Sequence, residues 1–190
     1  TALSFEGDRL VALAVGRVCE QKNFKDLVPV MGVLKEQGVP ITMVIAGDGP
    51  DLPDLRDRIT AAGLEEDILT LGNVTNIPDY LAAADLFLMP SLWEGLPLAL
   101  LEAMAAGLPV VGNAIDGLSD VVIEGTTGSL VPPGDHRLMA DRIAAQAQDP
   151  ELRKSFGAAG RGLVEERYNL NRVIESIEAI YLRVLGRSQA

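Results

Sequence analysis

Short apolar runs recur along this chain with helical stretches between them, and that alternation restricts its fold more than any other feature. The runs are Leu10–Val15, Ile41–Ala46, Ile68–Leu71, Leu86–Met89 and Pro109–Val111, with a weaker one at Ser129–Val131. Most are nearly unbroken rather than alternating, as in strands covered on both faces. Helical patterns fill the gaps at about 23–37, 52–62, 77–83, 97–106 and 136–148. Strands alternating with helices imply right-handed crossovers and an α/β, doubly wound parallel sheet of Rossmann-like type. No internal repeat, low-complexity tract or linker interrupts the pattern, so residues 1–190 read as one domain. After Asp149-Pro150 the pattern changes, and two helices follow without a strand, at about 151–166 and 170–185. The second sets Leu170, Val173, Ile174, Ile177, Ile180, Tyr181, Val184 and Leu185 at three/four spacing. Such a helix either packs on its own sheet or reaches toward a partner domain.

Composition narrows the function. The chain carries 16 Lys+Arg against 27 Asp+Glu, a net charge of −11, which speaks against nucleic acid and against electrostatic docking on an anionic membrane. The charge is also unevenly placed. From Ile59 to His136 there is no Lys or Arg, yet that stretch holds eleven carboxylates. The single cysteine, Cys19, and single histidine, His136, exclude an intrachain disulfide and any zinc site built on several thiolates or imidazoles. Both read as structural residues, His136 as a surface or cap position. No apolar run approaches the roughly 18 residues of a membrane span, and no signal-peptide pattern opens the chain, so a cytoplasmic location is expected.

In a parallel doubly wound sheet, ligands bind beyond the carboxyl ends of the strands. After the first strand comes Gly16-Arg17-Val18-Cys19-Glu20-Gln21-Lys22-Asn23, where Arg17 and Lys22 near a helix N-terminus make a candidate anion site or else are solvated loop charges. After the second comes Gly47-Asp48-Gly49-Pro50, which lacks the third glycine of a dinucleotide fingerprint and reads as a turn and helix cap. After the fourth comes Pro90-Ser91-Leu92-Trp93-Glu94-Gly95-Leu96-Pro97, followed by a helix that is apolar all round except for Glu102. That helix is expected to be deeply buried, which would leave Glu102 in need of a distant base, backbone donors or ligand hydroxyls. Glu94 either shares its crevice or is stabilised by the helix N-terminus. After the fifth strand, Gly112-Asn113-Ala114-Ile115-Asp116-Gly117 reads as a polar loop. Cations for phosphate at one strand end and carboxylates for hydroxyls at another suggest a sugar nucleotide.

At these positions the sequence resembles the C-terminal, donor-binding domain of retaining GT-B glycosyltransferases of the family 4 type, over roughly Leu10 to Leu185. The resemblance is carried by Val15-Gly16-Arg17 with Lys22, by Ile45-Ala46-Gly47-Asp48-Gly49-Pro50, by Gly72-Asn73-Val74, and by Ala84-Asp85 before Pro90-Ser91. It is carried most of all by Glu94 and Glu102, which bracket seven residues in Glu94-Gly95-Leu96-Pro97…Leu101-Glu102-Ala103-Met104-Ala105. Gly128 and Val131-Pro132-Pro133-Gly134-Asp135 also fit.

The resemblance implies that Arg17 and Lys22 hold the donor diphosphate and stabilise it as it leaves, while Glu94 contacts the donor sugar. It further implies that Glu102 bonds the ribose hydroxyls, that Val74 and Thr75 meet the nucleobase, and that the backbone at Gly16, Gly95 and Leu96 meets phosphate or sugar. No metal and no cofactor are implied; the partners are a nucleotide sugar and an acceptor-binding N-terminal domain. The chain begins just before the first strand, as expected either of a piece excised from a longer protein or of a naturally split one, with the full-length protein peripheral at the inner face of a membrane. In the family the last helix crosses back onto that N-terminal domain. Polysaccharide or cell-envelope assembly is the family-level expectation. The sequence departs from the family where Gly-Gly-x-Pro-Glu is usual: here Asp116-Gly117-Leu118-Ser119-Asp120 stands, with one glycine and no proline.

Three other readings share part of this evidence. A sugar-nucleotide epimerase or a glycan phosphorylase has the same architecture, and a binding module that lost its chemistry would fit the altered 116–120 loop. An NAD-dependent domain needs a three-glycine turn after the first strand, which Gly16-Arg17-Val18-Cys19 does not supply.

Overall fold

The computed structural model describes residues 9–186. Six strands form one wholly parallel sheet: β1 (Leu10–Val15), β2 (Ile41–Ala46), β3 (Ile68–Gly72), β4 (Leu86–Met89), β5 (Val110–Asn113) and β6 (Gly128–Val131), in the order β3-β2-β1-β4-β5-β6. The chain first winds one way to β3 and then returns to place β4 beside β1. The β1/β4 boundary is therefore the switch point where two loops diverge and leave a crevice.

The unbroken runs are buried on both faces, and alternate residues serve the two sides. Ala12, Ala14, Met43, Ile45, Leu86, Leu88 and Val111 pack with α1 (Leu27–Glu36), α2 (Leu52–Ala61) and α5 (His136–Gln148). Val11, Leu13, Val44, Ala46, Phe87, Met89 and Val110 pack with α3 (Ile77–Ala83), α4 (Leu98–Ala105) and α6 (Pro150–Arg167). Asp135 and Asp149 cap α5 and α6, each accepting from the backbone N–H three residues on.

The structure corrects several expectations. The helix expected over 23–37 is a single 3-10 turn at Phe24–Asp26 followed by α1. Asn23, in the left-handed region at φ 52°, keeps the helical backbone from starting before Phe24. Gly112 and Asn113, expected in a loop, complete β5. His136 opens α5 as expected, half-buried, with its Nε2 3.2 Å from Asp26 Oδ2.

The expectation that α4 is deeply buried fails. Only Leu100, Ala103 and Met104 are enclosed, while Leu98 is 67% exposed and Glu102 is exposed. The last helix, α7 (Leu170–Val184), does not pack on the sheet. Val173, Ile174, Ile177, Ile180, Tyr181, Val184 and Leu185 are all exposed. Among the described residues no helix is long and apolar enough to cross a membrane.

Candidate functional site

The crevice at the ends of β1 and β4 is built by two loops that hold each other. The β1 loop is first fixed to the turn after β2. Gly16 N–H donates to the Ala46 carbonyl at 3.1 Å, Val18 N–H to Asp48 at 3.0 Å, and Asp51 N–H returns to Val18 at 3.1 Å. No side chain would fit between these turns. A Cβ on Gly47 would lie 1.8 Å from the Gly16 carbonyl oxygen, and one on Gly49 2.2 Å from that of Val18. The Gly47-Asp48-Gly49 sequence is thus a packing device for the β1 loop, in accord with the reading of a turn, whereas the expected helix cap is not made by a side chain, since Asp51 at the N-cap of α2 forms no cap bond. Within the β1 loop the Cys19 carbonyl accepts from Lys22 N–H at 3.0 Å and Asn23 N–H at 3.2 Å. Cys19 is half-buried and unbridged.

The β4 loop is then fixed to the β1 loop and to β5. The Pro90 carbonyl accepts from Asn113 Nδ2 at 2.8 Å and from Asn23 Nδ2 at 3.3 Å, and both asparagines are buried. Asn113 also donates to Ser91 O at 3.2 Å. Leu92 N–H donates to Gln21 O at 2.8 Å, and Gln21 Nε2 donates to Trp93 O at 3.0 Å. On the far side the β5 loop presses in. A Cβ on Gly117 (φ +84°) would lie 2.4 Å from the Gly95 carbonyl oxygen. The single glycine left in the atypical 116–120 loop stands where the backbones meet, and neighbouring Asp116 is exposed.

These clamps bring Lys22 and Glu94 together. Lys22 Nζ lies 2.6 Å from Glu94 Oε1, with the lysine side chain 16% exposed and the glutamate 7%. Gln21 Nε2 stands 3.5 Å from Glu94 Oε2. The other glutamate alternative, an N-terminal helix partner, is not what the carboxylate uses.

Arg17 is exposed and makes no ion pair among the described residues. It lines an open cleft of about 710 Å³ together with Gly16, Asp48, Asn73, Val74 and Ile77. Arg17 and Val74 therefore share one cavity, with Thr75 exposed beside it on the β3–α3 loop. Gly95 and Leu96 are exposed on the β4 loop. Glu102, in the second turn of α4, has no side-chain hydrogen bond or ion pair among the described residues. The cost of a buried lone carboxylate therefore says nothing about its role. Among the described residues no group of three or more His, Cys, Asp or Glu could hold a metal ion.

Sequence reasoning missed Gln21, Asn23 and Asn113, which position the predicted residues. Asn113 carried a signal: an amide closing an apolar strand must find partners when buried.

Known proteins resemble this chain in sequence and in fold. The chain is 32% identical over 179 residues to the alpha-D-kanosaminyltransferase of Streptomyces kanamyceticus, covering 93% of this chain and 46% of that protein. It is 35% identical over 173 residues to the lipopolysaccharide core biosynthesis mannosyltransferase LpsB of Rhizobium meliloti (strain 1021), covering 87% and 49%. It thus spans about half the length of these curated relatives. In fold it matches a crystal structure of a TarM mutant from S. aureus in complex with fondaparinux, alpha-GlcNAc-glycerol and UDP. The TM-score is 0.87 at 24% identity, over 91% of this chain and 35% of that one. The sheet is that of GT-B glycosyltransferases, and the matched half is their C-terminal domain. The model of the family described as glycosyl transferases group 1 matches residues 2–163, and the chain belongs to that family.

Proposed function

We propose that this chain is the donor-binding domain of a retaining glycosyltransferase that takes a sugar from a nucleoside-diphosphate sugar and gives it to a glycan or lipid-linked acceptor. The acceptor would be held by an N-terminal domain, and the setting would be polysaccharide or cell-envelope assembly. The observation that carries the reading is the enclosed Lys22–Glu94 pair at the β1/β4 switch point, beside the cleft that Arg17 and Val74 share. A cation for phosphate and a carboxylate for hydroxyls stand side by side there, and both are held by backbone clamps.

In this reading the base and ribose lie in the cleft past Val74 and Thr75, with Glu102 at the ribose edge. The diphosphate meets Arg17, Lys22 and the backbone at Gly16. The sugar meets Glu94 and the amides at Gly95 and Leu96. When the bond from the anomeric carbon to the phosphate oxygen breaks, its electron pair goes to the diphosphate. Arg17, and Lys22 once a donor sugar has taken over its bonds to Glu94, would stabilise that charge. The acceptor hydroxyl oxygen then bonds to the anomeric carbon on the face the diphosphate leaves, and its proton passes to the departing phosphate oxygen.

Titrating the domain with UDP, GDP and ADP tests the reading and names the base. One of them should bind at millimolar concentration or better, and Arg17→Ala should weaken that binding about ten- to a hundredfold, the value of a charge-assisted bond. Wild-type protein indifferent to all three nucleotides would refute it.

A further inference from the structure

Lys22 and Glu94 occupy each other. A carboxylate that is 7% exposed needs donors, and here its close one is the Lys22 ammonium at 2.6 Å. Its second, Gln21 Nε2 at 3.5 Å, is engaged first with the Trp93 carbonyl at 3.0 Å. The ammonium has three hydrogens, but it is a single point charge on one stem. It cannot move fully onto a diphosphate and keep the carboxylate satisfied.

We infer that Glu94 competes with the diphosphate for Lys22, and thereby makes the site prefer the sugar-bearing nucleotide over the bare nucleoside diphosphate left after transfer. This rests on the nucleotide-sugar reading above. A bare nucleoside diphosphate that draws Lys22 away leaves Glu94 with the stretched Gln21 contact alone. Part of what the phosphate gains is lost again at the carboxylate. A donor sugar changes the balance, because its hydroxyls donate to Glu94 and replace the ammonium. Donor and product differ by that sugar, so the same exchange that admits the donor weakens the product's hold and favours its release. Arg17, with no ion pair among the described residues, binds phosphate without such an offset.

The chain supplies its own probe. Trp93 is its single tryptophan, stands next to Glu94 and is 52% exposed, so its fluorescence can follow binding. Titrations with UDP, GDP and ADP identify the nucleotide. For that nucleotide Glu94→Gln, which keeps the shape and removes the charge, should bind about tenfold tighter than wild type, the scale of one charge-assisted bond. Gln21→Met should bind it more weakly, and that effect should vanish in the Glu94→Gln background, since Gln21 acts through the carboxylate. With UDP-glucose, UDP-N-acetylglucosamine and GDP-mannose, at least one ester should bind wild type more tightly than its parent nucleotide. That preference should shrink in Glu94→Gln.

Equal or weaker binding of the bare nucleotide by a Glu94→Gln protein that melts like wild type overturns the competition and leaves the nucleotide-sugar reading standing. If Glu94→Gln melts lower, the Gln21→Met single variant decides, and unchanged nucleotide affinity there overturns the proposal. An ester preference that is absent, or that survives Glu94→Gln, overturns the discrimination. Binding of no nucleotide by wild type or Glu94→Gln overturns both readings together.

Discussion

Lys22 owes its position to its neighbours as much as to its partner. Gly16 has φ 154° and its Cα faces the lysine stem, so that an added Cβ would sit 3.0 Å from Lys22 Cε. Gly16→Ala should therefore strain the backbone, displace Lys22 from Glu94, and lower stability by about 1 kcal/mol. Thermal unfolding and a changed Trp93 emission would report it; an unperturbed melting curve and spectrum would show that the stem yields freely. Away from the site, Asp67 makes the sharpest electrostatic contact. Burial raises its pKa, but hydrogen bonds from Lys35 at 2.7 Å and Arg9 at 2.6 Å, with their charges, outweigh that and hold it below the ordinary aspartate value. A carboxylate depressed in the folded state adds stability that is complete above its unfolded pKa and is lost as pH falls through the folded one. Asp67→Asn should melt lower than wild type at pH 7, by about 1–3 kcal/mol of stability. That gap should close as pH falls below about 4. A gap that persists unchanged into acid would mean that shape, not charge, is what Asp67 contributes.

At the scale of elements, the strands are legible because short, nearly unbroken apolar runs bounded by turn residues read as strands covered twice, and β2 is buried at all six positions. Helix α4 was misread for the same reason. Ala and Leu fill its sequence, so periodicity could not show that only Leu100, Ala103 and Met104, at the three/four spacing, are enclosed. The clamps of the site were illegible because they are amide-to-carbonyl bonds between loops some 70 residues apart, as from Gln21 to Trp93. No local pattern encodes them. Helix α7 showed its apolar stripe plainly but not what covers it. Paired substitutions separate the two kinds of apolar helix. Leu100→Ala empties a fully enclosed position and should cost about 2–5 kcal/mol. Ile177→Ser, on a face that is 46% exposed at that residue, should change stability by no more than about 0.5 kcal/mol in this chain. A large loss from Ile177→Ser in urea unfolding would mean that α7 is already held by this domain.

At the scale of the whole molecule, the gap in basic residues from Ile59 to His136 sets the electrostatics of binding. Folding brings Glu94 and the Val74 segment, both inside that gap, against a loop whose Arg17 and Lys22 lie outside it. An anionic nucleotide therefore meets two opposed fields: repulsion from a net charge of −11 and attraction from two cations on one loop, one of them already paired. They differ in range. The Debye length shrinks from about 30 Å at 0.01 M salt to about 8 Å at 0.15 M, so added salt removes the distant repulsion before the contact attraction. The affinity of wild type for its nucleoside diphosphate should then change by less than about twofold across that interval, unlike a site on a basic surface, which weakens steeply with salt. In Arg17→Ala the contact attraction is cut while the distant charge remains nearly as large, so binding should strengthen as salt rises. A steep loss of wild-type affinity with salt, measured by Trp93 fluorescence, would show that the two cations outweigh the acidic domain around them.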